Sequence, residues 1–161
     1  MQTAYFAGGC FWCVEAIFQR IDGVKGLTNG YCNGSTQNPT YEEVCSGQSG
    51  HAEVLKIEFE EKQISFVGLL EVFVEIHDPT SLNQQGADRG TQYRSAVFYT
   101  DSNQRDQAVS VINSIVDAVT EISPLDVFYA AESYHQNYYN NNPNQSYCQL
   151  VILPKIDKYF K

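Results

Sequence analysis

The chain has 161 residues, enough for one compact domain with a substantial core, and we expect a single domain over residues 1–161. Ten basic residues against nineteen acidic ones give a net charge of −9, and a surface of that sign repels the phosphate backbone of nucleic acids. No apolar run is long enough to span a bilayer, and no basic flank marks a secretory signal. We therefore expect a cytoplasmic protein that binds neither nucleic acid nor membrane.

Five cysteines are an odd number, and the chain is too long for a small disulfide scaffold. Free thiols in a reducing compartment fit this composition better than a secreted domain held together by disulfides. For any one cysteine, the alternative is a buried, unreactive side chain.

The first part of the chain alternates between strand and helix patterns. It is predicted to contain a strand at Thr3–Ala7, a helix at Phe11–Ile21, a strand at Val24–Tyr31, a helical turn at Tyr41–Val44 and a strand at Ala52–Glu60. The spacing of apolar residues distinguishes the two kinds of element, because it is two in a half-buried strand and three to four in a helix.

The remainder continues the alternation after a helix that Ser65 can cap. The predicted elements are, in order, that helix to Ile76, a long loop at Asp78–Gln92, a strand at Arg94–Thr100, a helix at Asn103–Val119, a strand at Leu125–Ala130, a helix at Glu132–Asn140 and an edge strand at Tyr147–Leu153.

Strands that alternate with helices, including crossover connections, indicate an α+β fold. We predict a two-layer α/β sandwich with a ferredoxin-like core and a mixed sheet. The loop at Asp78–Gln92 is long, and structureless loops of this size in compact domains are often functional.

The segment Gly8-Gly9-Cys10-Phe11-Trp12-Cys13 places Cys10 between a strand and a helix. A thiol at a helix N-terminus faces unpaired N–H groups and the positive end of the helix dipole, and both favour the reactive thiolate. The paired glycines allow a tight turn and leave space beside the sulfur. Cys10 is therefore the candidate nucleophile, although a buried cysteine after a turn is the structural alternative.

Cys10 and Cys13 also form a C-x-x-C pair, which allows two other interpretations. One is a thioredoxin-like redox couple. The other is half of a zinc site, completed by Cys32, Cys45 or His51, but no second C-x-x-C follows and these residues lack a regular metal spacing. We expect neither a metal nor a cofactor.

Glu53 is the second candidate, because strand parity places it on the same face as Leu55 and Ile57. Burial raises the pKa of a carboxyl group until it keeps its proton, and a neutral acid can donate that proton to an oxygen atom. The alternative is a carboxylate at the strand end that reaches water.

Six segments resemble the signatures of A-type peptide methionine sulfoxide reductases and occur in the family's order between Ala7 and Cys148. They are Gly9-Cys10-Phe11-Trp12, Asn38-Pro39-Thr40-Tyr41-Glu42, Gly50-His51-Ala52-Glu53, His77-Asp78-Pro79-Thr80, Gly90-Thr91-Gln92-Tyr93-Arg94-Ser95 and Tyr134-His135-Gln136. Each segment alone is a weak signal, but the ordered set is specific.

The resemblance implies that Cys10 attacks the sulfoxide sulfur and that Glu53 supplies a proton to the sulfoxide oxygen. It also implies that Tyr41 and Tyr93 hydrogen-bond this oxygen. The attack leaves a sulfenic acid on Cys10.

For substrate binding, the resemblance implies that Phe11 and Trp12 line a pocket for the substrate methyl group. Asp88 matches a further polar position that holds the site together.

A second thiol must resolve the sulfenic acid to a disulfide, and Cys148 matches the family's resolving position. Its segment Ser146-Tyr147-Cys148 has serine where the family usually has glycine. Cys13 is the alternative, and we favour Cys148 because the preceding Asn-rich tract is expected to be mobile. No match to the family's further recycling cysteine is present, so a single disulfide reduced by thioredoxin or a similar protein is expected.

The resulting hypothesis is a monomeric oxidoreductase that reduces methionine S-sulfoxide, free or in proteins, and so repairs oxidised proteins. A general disulfide oxidoreductase using Cys10 and Cys13 is the rival enzyme. A non-catalytic module that binds peptides through the tyrosines of residues 134–147 is the rival from another class.

Overall fold

The computed structural model describes residues 1–160. Its helices and strands are, in chain order, β1 (Gln2–Ala7), α1 (Phe11–Phe18), β2 (Val24–Cys32), α2 (Tyr41–Cys45), β3 (Ala52–Phe59), α3 (Phe66–Ile76), β4 (Gln84–Gln85), β5 (Asp88–Arg89), β6 (Ala96–Tyr99), α4 (Ser102–Asn113), β7 (Glu121–Pro124), β8 (Phe128–Ala130), α5 (Tyr138–Asn141) and α6 (Leu153–Tyr159).

The main sheet has the strand order β7-β6-β1-β3-β2-β8, and β4 pairs with β5 in a separate short hairpin. The units β1-α1-β2 and β3-α3-β6 interleave, so that β6, β1, β3 and β2 are neighbours and antiparallel. This is the ferredoxin-like arrangement. Since β7 pairs parallel with β6, the sheet is mixed. The predicted α+β fold with a ferredoxin-like core and a mixed sheet is confirmed.

The main core lies between one face of the sheet and the helices α1 and α3. On β3 the alternation predicted from the sequence holds, because Leu55, Ile57 and Phe59 are buried while Lys56 and Glu58 are partly exposed. These three large side chains stabilise the layer through the apolar area that they remove from water.

The register of β1 against β3 brings the candidate residues together. The two strands run antiparallel with Phe6 opposite Leu55, so the end of β1 lies beside the start of β3. Cys10 follows β1 and Glu53 is the second residue of β3, and this pairing therefore carries both to the same edge of the sheet.

The predicted helix at Asn103–Val119 ends earlier, at Asn113. The chain then turns through Asp117, whose φ of 62° is left-handed, and the N–H of Val119 bonds to the carbonyl of Pro79. A left-handed residue cannot continue an α-helix, so the apolar stripe beyond residue 113 belongs to a turn.

The predicted strand at Leu125–Ala130 is confirmed only at Phe128–Ala130, which is β8, and β7 before it was not predicted. The two strands lie on opposite edges of the sheet, since β7 ends at Pro124 on one edge and β8 begins at Phe128 on the other. The connecting residue Asp126 donates its N–H to the side chain of Asn33, and this contact guides the chain across the end of the sheet.

The predicted helix at Glu132–Asn140 is interrupted. A 3₁₀ turn at Ser133–His135 is followed by Asn137 with a left-handed φ of 54°, and only then does α5 begin. The side chain of Glu15 stabilises this break by accepting the N–H groups of Asn137 and Tyr138.

The edge strand predicted at Tyr147–Leu153 is wrong, because this segment is a π-helical turn at Cys148–Ile152 that leads into α6. Cys148, Ile152 and Ile156 are buried and four residues apart, which is the spacing of one helical face. The face packs against α1 and α3. Among residues 1–160, no helix has the length and apolar character needed to cross a membrane.

Candidate active site

Cys10 is the N-cap residue of α1 and follows a turn that only glycine fits well. Gly9 has a φ of +86°, and a Cβ atom there would lie 2.8 Å from Cβ and Cγ of Gln85. The turn brings the Cys10 side chain to the edge of the sheet, where it is 8% exposed. The sulfur therefore lies beneath the surface, next to the first turn of α1.

Glu53 is 1% exposed, as the parity of β3 predicts. Its Oε1 accepts a hydrogen bond from the main-chain N–H of Phe11 at 3.1 Å, so its carboxyl group is held beside the residue that follows Cys10. Burial raises the pKa of Glu53 to about 8, against the opposing effect of the Phe11 N–H. The group therefore carries a proton at pH 7.

The thiols of Cys10 and Cys13 share a hydrogen bond that moves their pKa values in opposite directions. Burial raises the pKa of Cys10 well above its usual range, and the N–H of Trp12 opposes this only in part. The hydrogen bond from Cys10 lowers the pKa of Cys13 to about 7, and the positive charge of Lys155 acts in the same direction. Burial therefore works against the thiolate that the helix N-terminus was expected to favour on Cys10.

Tyr147 connects Asp88 of β5 to Cys13. Its hydroxyl donates to Oδ2 of Asp88 at 2.8 Å and lies 3.4 Å from the sulfur of Cys13. Burial raises the pKa of Tyr147, so the hydroxyl stays protonated. Sequence reasoning missed Tyr147, because nothing local relates residue 147 to residue 88.

Trp12 is packed among aromatic rings next to Cys10. Tyr138 stacks on the indole with centroids 3.8 Å apart and planes within 9°, and Tyr147 meets it edge-on at 5.8 Å. The indole Nε1–H donates to Nδ1 of His135 at 3.1 Å. Tyr138 and His135 were also missed as functional residues, since both contact Trp12 across more than a hundred residues of sequence.

Tyr41 and Tyr93 lie close enough to Glu53 for a charge there to raise the pKa of each hydroxyl, in addition to the larger effect of burial. Both hydroxyls are therefore protonated and able to donate hydrogen bonds. Tyr41 begins α2, and its main-chain N–H is fixed by Oε2 of Glu132 at 3.0 Å. Its hydroxyl also shares a hydrogen bond with the thiol of Cys45.

Cys148 is fully buried in the same apolar cluster as Cys10 and Cys13. All five cysteines are free thiols. Cys32 is packed in a separate cluster, and Cys45 is exposed.

The zinc alternative gains no support from these positions. Among residues 1–160, no group of three His, Cys, Asp or Glu side chains is arranged to hold a metal ion. His51 is already bonded to the main chain through both ring nitrogens, since Nδ1 accepts the N–H of Gly34 and Nε2 faces the carbonyl of Thr36 at 2.6 Å.

Comparisons with known proteins agree on one family. The family model described as peptide methionine sulfoxide reductase matches residues 2–161. The peptide methionine sulfoxide reductase MsrA of Ruthia magnifica subsp. Calyptogena magnifica is 63% identical over 161 residues, which cover 99% of each chain. The reduced form of Mxr1 from Saccharomyces cerevisiae has a TM-score of 0.87 at 34% identity, over 91% of this chain and 88% of that one. Mxr1 in complex with Trx2 matches in fold, with a TM-score of 0.61 at 23% identity over 85% and 84% of the chains.

A cysteine at a helix N-terminus beside a buried neutral acid suits a thiol-dependent reductase. The chain belongs to the peptide methionine sulfoxide reductase family. It is an oxidoreductase that reduces methionine sulfoxide by thiol chemistry, as the resemblance implied.

Proposed function

We propose that Cys10 attacks the sulfur of methionine S-sulfoxide, free or in proteins, and that the protein thereby repairs oxidised chains. The sulfoxide S–O bond breaks and an S–O bond forms on Cys10, so the thiol becomes a sulfenic acid as the sulfoxide becomes a thioether. Thiol and sulfoxide supply every atom of the two products, and no cofactor is needed.

The buried acid is the observation that carries this proposal. A sulfoxide oxygen leaves poorly unless it is protonated, and Glu53, with a pKa of about 8, has a proton to give at pH 7. Its 3.1 Å bond to the N–H of Phe11 keeps it beside Cys10. Glu53 protonates the oxygen, and the proton that leaves the Cys10 thiol restores Glu53.

We assign the remaining polar contacts to Tyr41 and Tyr93, whose protonated hydroxyls donate to the sulfoxide oxygen. Phe11 and Trp12 form the wall against which the substrate methyl group packs. Asp88 acts through its bond to Tyr147, which keeps the loop against the site.

For the resolving step, contacts around the two candidates favour Cys13 over Cys148. Cys13 lies one helical turn from Cys10 and shares a hydrogen bond with it, and its pKa of about 7 gives a thiolate near neutral pH. That thiolate can attack the Cys10 sulfenic acid, which forms a disulfide and expels the hydroxyl group, and this group leaves as water once it takes up a proton from the solvent. Cys148 is fully buried in a helical turn, which does not support the tail mobility expected from the sequence.

Thioredoxin is the proposed external reductant, because it opens such disulfides by thiol exchange. Support by analogy comes from Mxr1, which has been solved in complex with Trx2. We further propose that the domain spans residues 1–161, acts as a monomer and works in the cytoplasm, where thiols stay reduced.

The decisive experiment measures turnover of the separated S and R epimers of a methionine sulfoxide derivative, with dithiothreitol as reductant. We expect reduction of the S epimer alone, and complete loss in Cys10→Ser. Turnover of the R epimer would overturn the stereochemical assignment, and activity in Cys10→Ser would overturn the nucleophile. If only insulin disulfides were reduced, the rival disulfide oxidoreductase would be correct.

A further inference from the structure

The catalytic scheme above gives no role to His135, which contacts Trp12 in this site. It ends the 3₁₀ turn Ser133–His135, is 1% exposed, and accepts the indole N–H of Trp12 at its Nδ1 atom. Its main-chain carbonyl accepts a 2.8 Å hydrogen bond from Nδ2 of Asn29, a buried side chain of β2. The backbone of His135 is therefore attached to the sheet, and its buried imidazole can hold the indole in one orientation.

The bond to Trp12 defines the protonation state of the imidazole. An indole N–H can only donate, so Nδ1 of His135 is unprotonated and the ring proton lies on Nε2. Within residues 1–160, Nε2 is buried and has no hydrogen-bond partner. A second proton on Nδ1 would place two N–H donors face to face and break the bond to Trp12.

The surroundings of the imidazole favour its neutral form, although two nearby carboxylates favour the protonated form. On α1 it faces the uncharged rings of Phe11 and Trp12. Burial lowers the pKa of His135, and the nearby carboxylates raise it to a smaller extent. The titratable groups that face it are Glu132 and Tyr134 on its own segment and Tyr41 and Glu42 on α2.

We propose that His135 is a positioning residue that fixes the plane of the Trp12 indole and so sets how tightly the substrate methyl group packs. This inference rests on the proposed function of Trp12 as a pocket wall. Tyr138 covers one face of the indole at 3.8 Å, and rotation about the side chain is stopped by the Nε1–Nδ1 bond. Without this bond, the pocket wall loses its fixed orientation while the Cys10 and Glu53 groups stay in place.

The test compares His135→Leu, which removes the acceptor, with His135→Asn, whose amide oxygen can occupy the place of Nδ1. We expect His135→Leu to raise the KM for the S-sulfoxide about five- to tenfold, the factor that corresponds to one ordinary hydrogen bond, with kcat changed less than about twofold. In His135→Asn the KM should return towards the wild-type value. An unchanged KM in His135→Leu, or an equal rise in both variants, would overturn the proposal.

A second readout needs no substrate, so it separates this inference from the proposed function. Trp12 is the only tryptophan, and its emission reports directly on the indole environment. Because burial lowers the pKa of His135, we expect this emission in the wild type to change only in the acid range below the ordinary pKa of histidine, as His135 gains its second proton. The change should be absent in both His135 variants and present in His51→Asn, which removes a buried imidazole elsewhere. A change that persisted in His135→Asn would refute the role of His135.

Discussion

The main-chain N–H of Phe11 donates a hydrogen bond to Oε1 of Glu53, 3.1 Å away, and thereby joins the first turn of α1 to the start of β3. The N–H belongs to the residue after Cys10, so the acid is attached to the backbone that carries the thiol. A backbone N–H cannot titrate, and the contact therefore persists whether or not Glu53 holds its proton. The position of the Glu53 carboxyl group therefore does not depend on whether the group is protonated.

Replacing Glu53 by Gln should slow the first step by about 10²- to 10⁴-fold, because the amide keeps the acceptor for Phe11 but has no acidic proton. The measurement is methionine release in a single turnover without reductant. In the wild type this rate should fall as the pH rises through about 8, where Glu53 loses its proton. The fall should be missing in Glu53→Gln.

The control for this prediction is Glu58→Gln, on the same strand but on the other face. It should keep both the rate and the pH profile. A Glu53→Gln protein with the wild-type rate would remove Glu53 from proton transfer.

Replacing Gly9 by Ala should disturb the turn before Cys10 through two separable effects. One is the strain of a left-handed φ of +86°, which costs about 1–2 kcal/mol in any L-residue. The other is contact with Gln85, which is buried and bonded to both the N–H and the carbonyl of Asp78. Gln85 cannot easily give way, so Gly9→Ala should also displace Cys10 and reduce its reactivity.

Gly47 supplies a matched control, since its φ is +77° and a Cβ atom there would meet nothing within 4 Å. Urea unfolding should show that Gly9→Ala costs more than Gly47→Ala by about 1–3 kcal/mol, the usual cost of overpacking. Equal losses of unfolding free energy in the two variants would mean that Gln85 moves aside and that only the backbone strain destabilises Gly9→Ala.

The strands β1, β2 and β3 and the helix α3 could be predicted from the sequence because local rules determine them. Alternation places apolar residues on one face of β3, and the hydroxyl of Ser65 accepts the N–H of Gly68 at the start of α3. The segment after Tyr147 could not be predicted in the same way. Its apolar residues are nearly continuous, so only packing against α1 decides that Cys148 and Ile152 share a helical face.

The residues of the active site also fall into those that local rules predict and those that only long-range packing brings together. The positions of Cys10 and Glu53 follow from a helix N-terminus and from strand parity, which are local features. Tyr147, Tyr138 and His135 join the site through side-chain contacts across more than a hundred residues, which no local rule predicts. For His135 the only signal in the sequence is the resemblance of Tyr134-His135-Gln136 to a family signature. The raised pKa of Cys10 was also not predictable, since burial outweighs the helix N-terminus there.

Replacing Cys13 and Cys148 one at a time should show which of them resolves the Cys10 sulfenic acid. Without reductant, Cys13→Ser and Cys148→Ser should each release one methionine per chain, since both retain Cys10. With thioredoxin, Cys13→Ser should lose at least about tenfold in steady-state rate, and its Cys10 sulfenic acid should accumulate and react with dimedone. Cys148→Ser should form the Cys10–Cys13 disulfide, which mass spectrometry identifies after digestion.

A control for buried thiols is Cys32→Ala, which lies in a separate apolar cluster and should behave as the wild type. The opposite pattern, with a Cys10–Cys148 disulfide and a resolving defect in Cys148→Ser, would assign the step to Cys148.

His77 should make the protein less stable in mild acid. It is buried beneath Gly8, its ring lies between the carbonyl of Phe73 and the hydroxyl of Ser95, and burial lowers its pKa to about 4. The unfolded chain takes up this proton near pH 6.5, whereas the folded chain resists it until about pH 4. The free energy of unfolding should therefore fall as the pH drops from 6.5 to 4, by about 3 kcal/mol for this residue.

Glu53 changes the free energy of unfolding with pH in the opposite direction over part of this range. Its pKa is raised from 4.5 to about 8, so the folded chain keeps a proton that the unfolded chain loses, and stability falls as the pH rises from 4.5 to 8. Comparison of the wild type with His77→Gln, by urea unfolding at a series of pH values, isolates the effect of the histidine. The difference between the two free energies should be constant above pH 6.5 and shrink below it. A difference that stays constant down to pH 4.5 would mean that His77 accepts its proton in the folded protein as readily as in the unfolded chain.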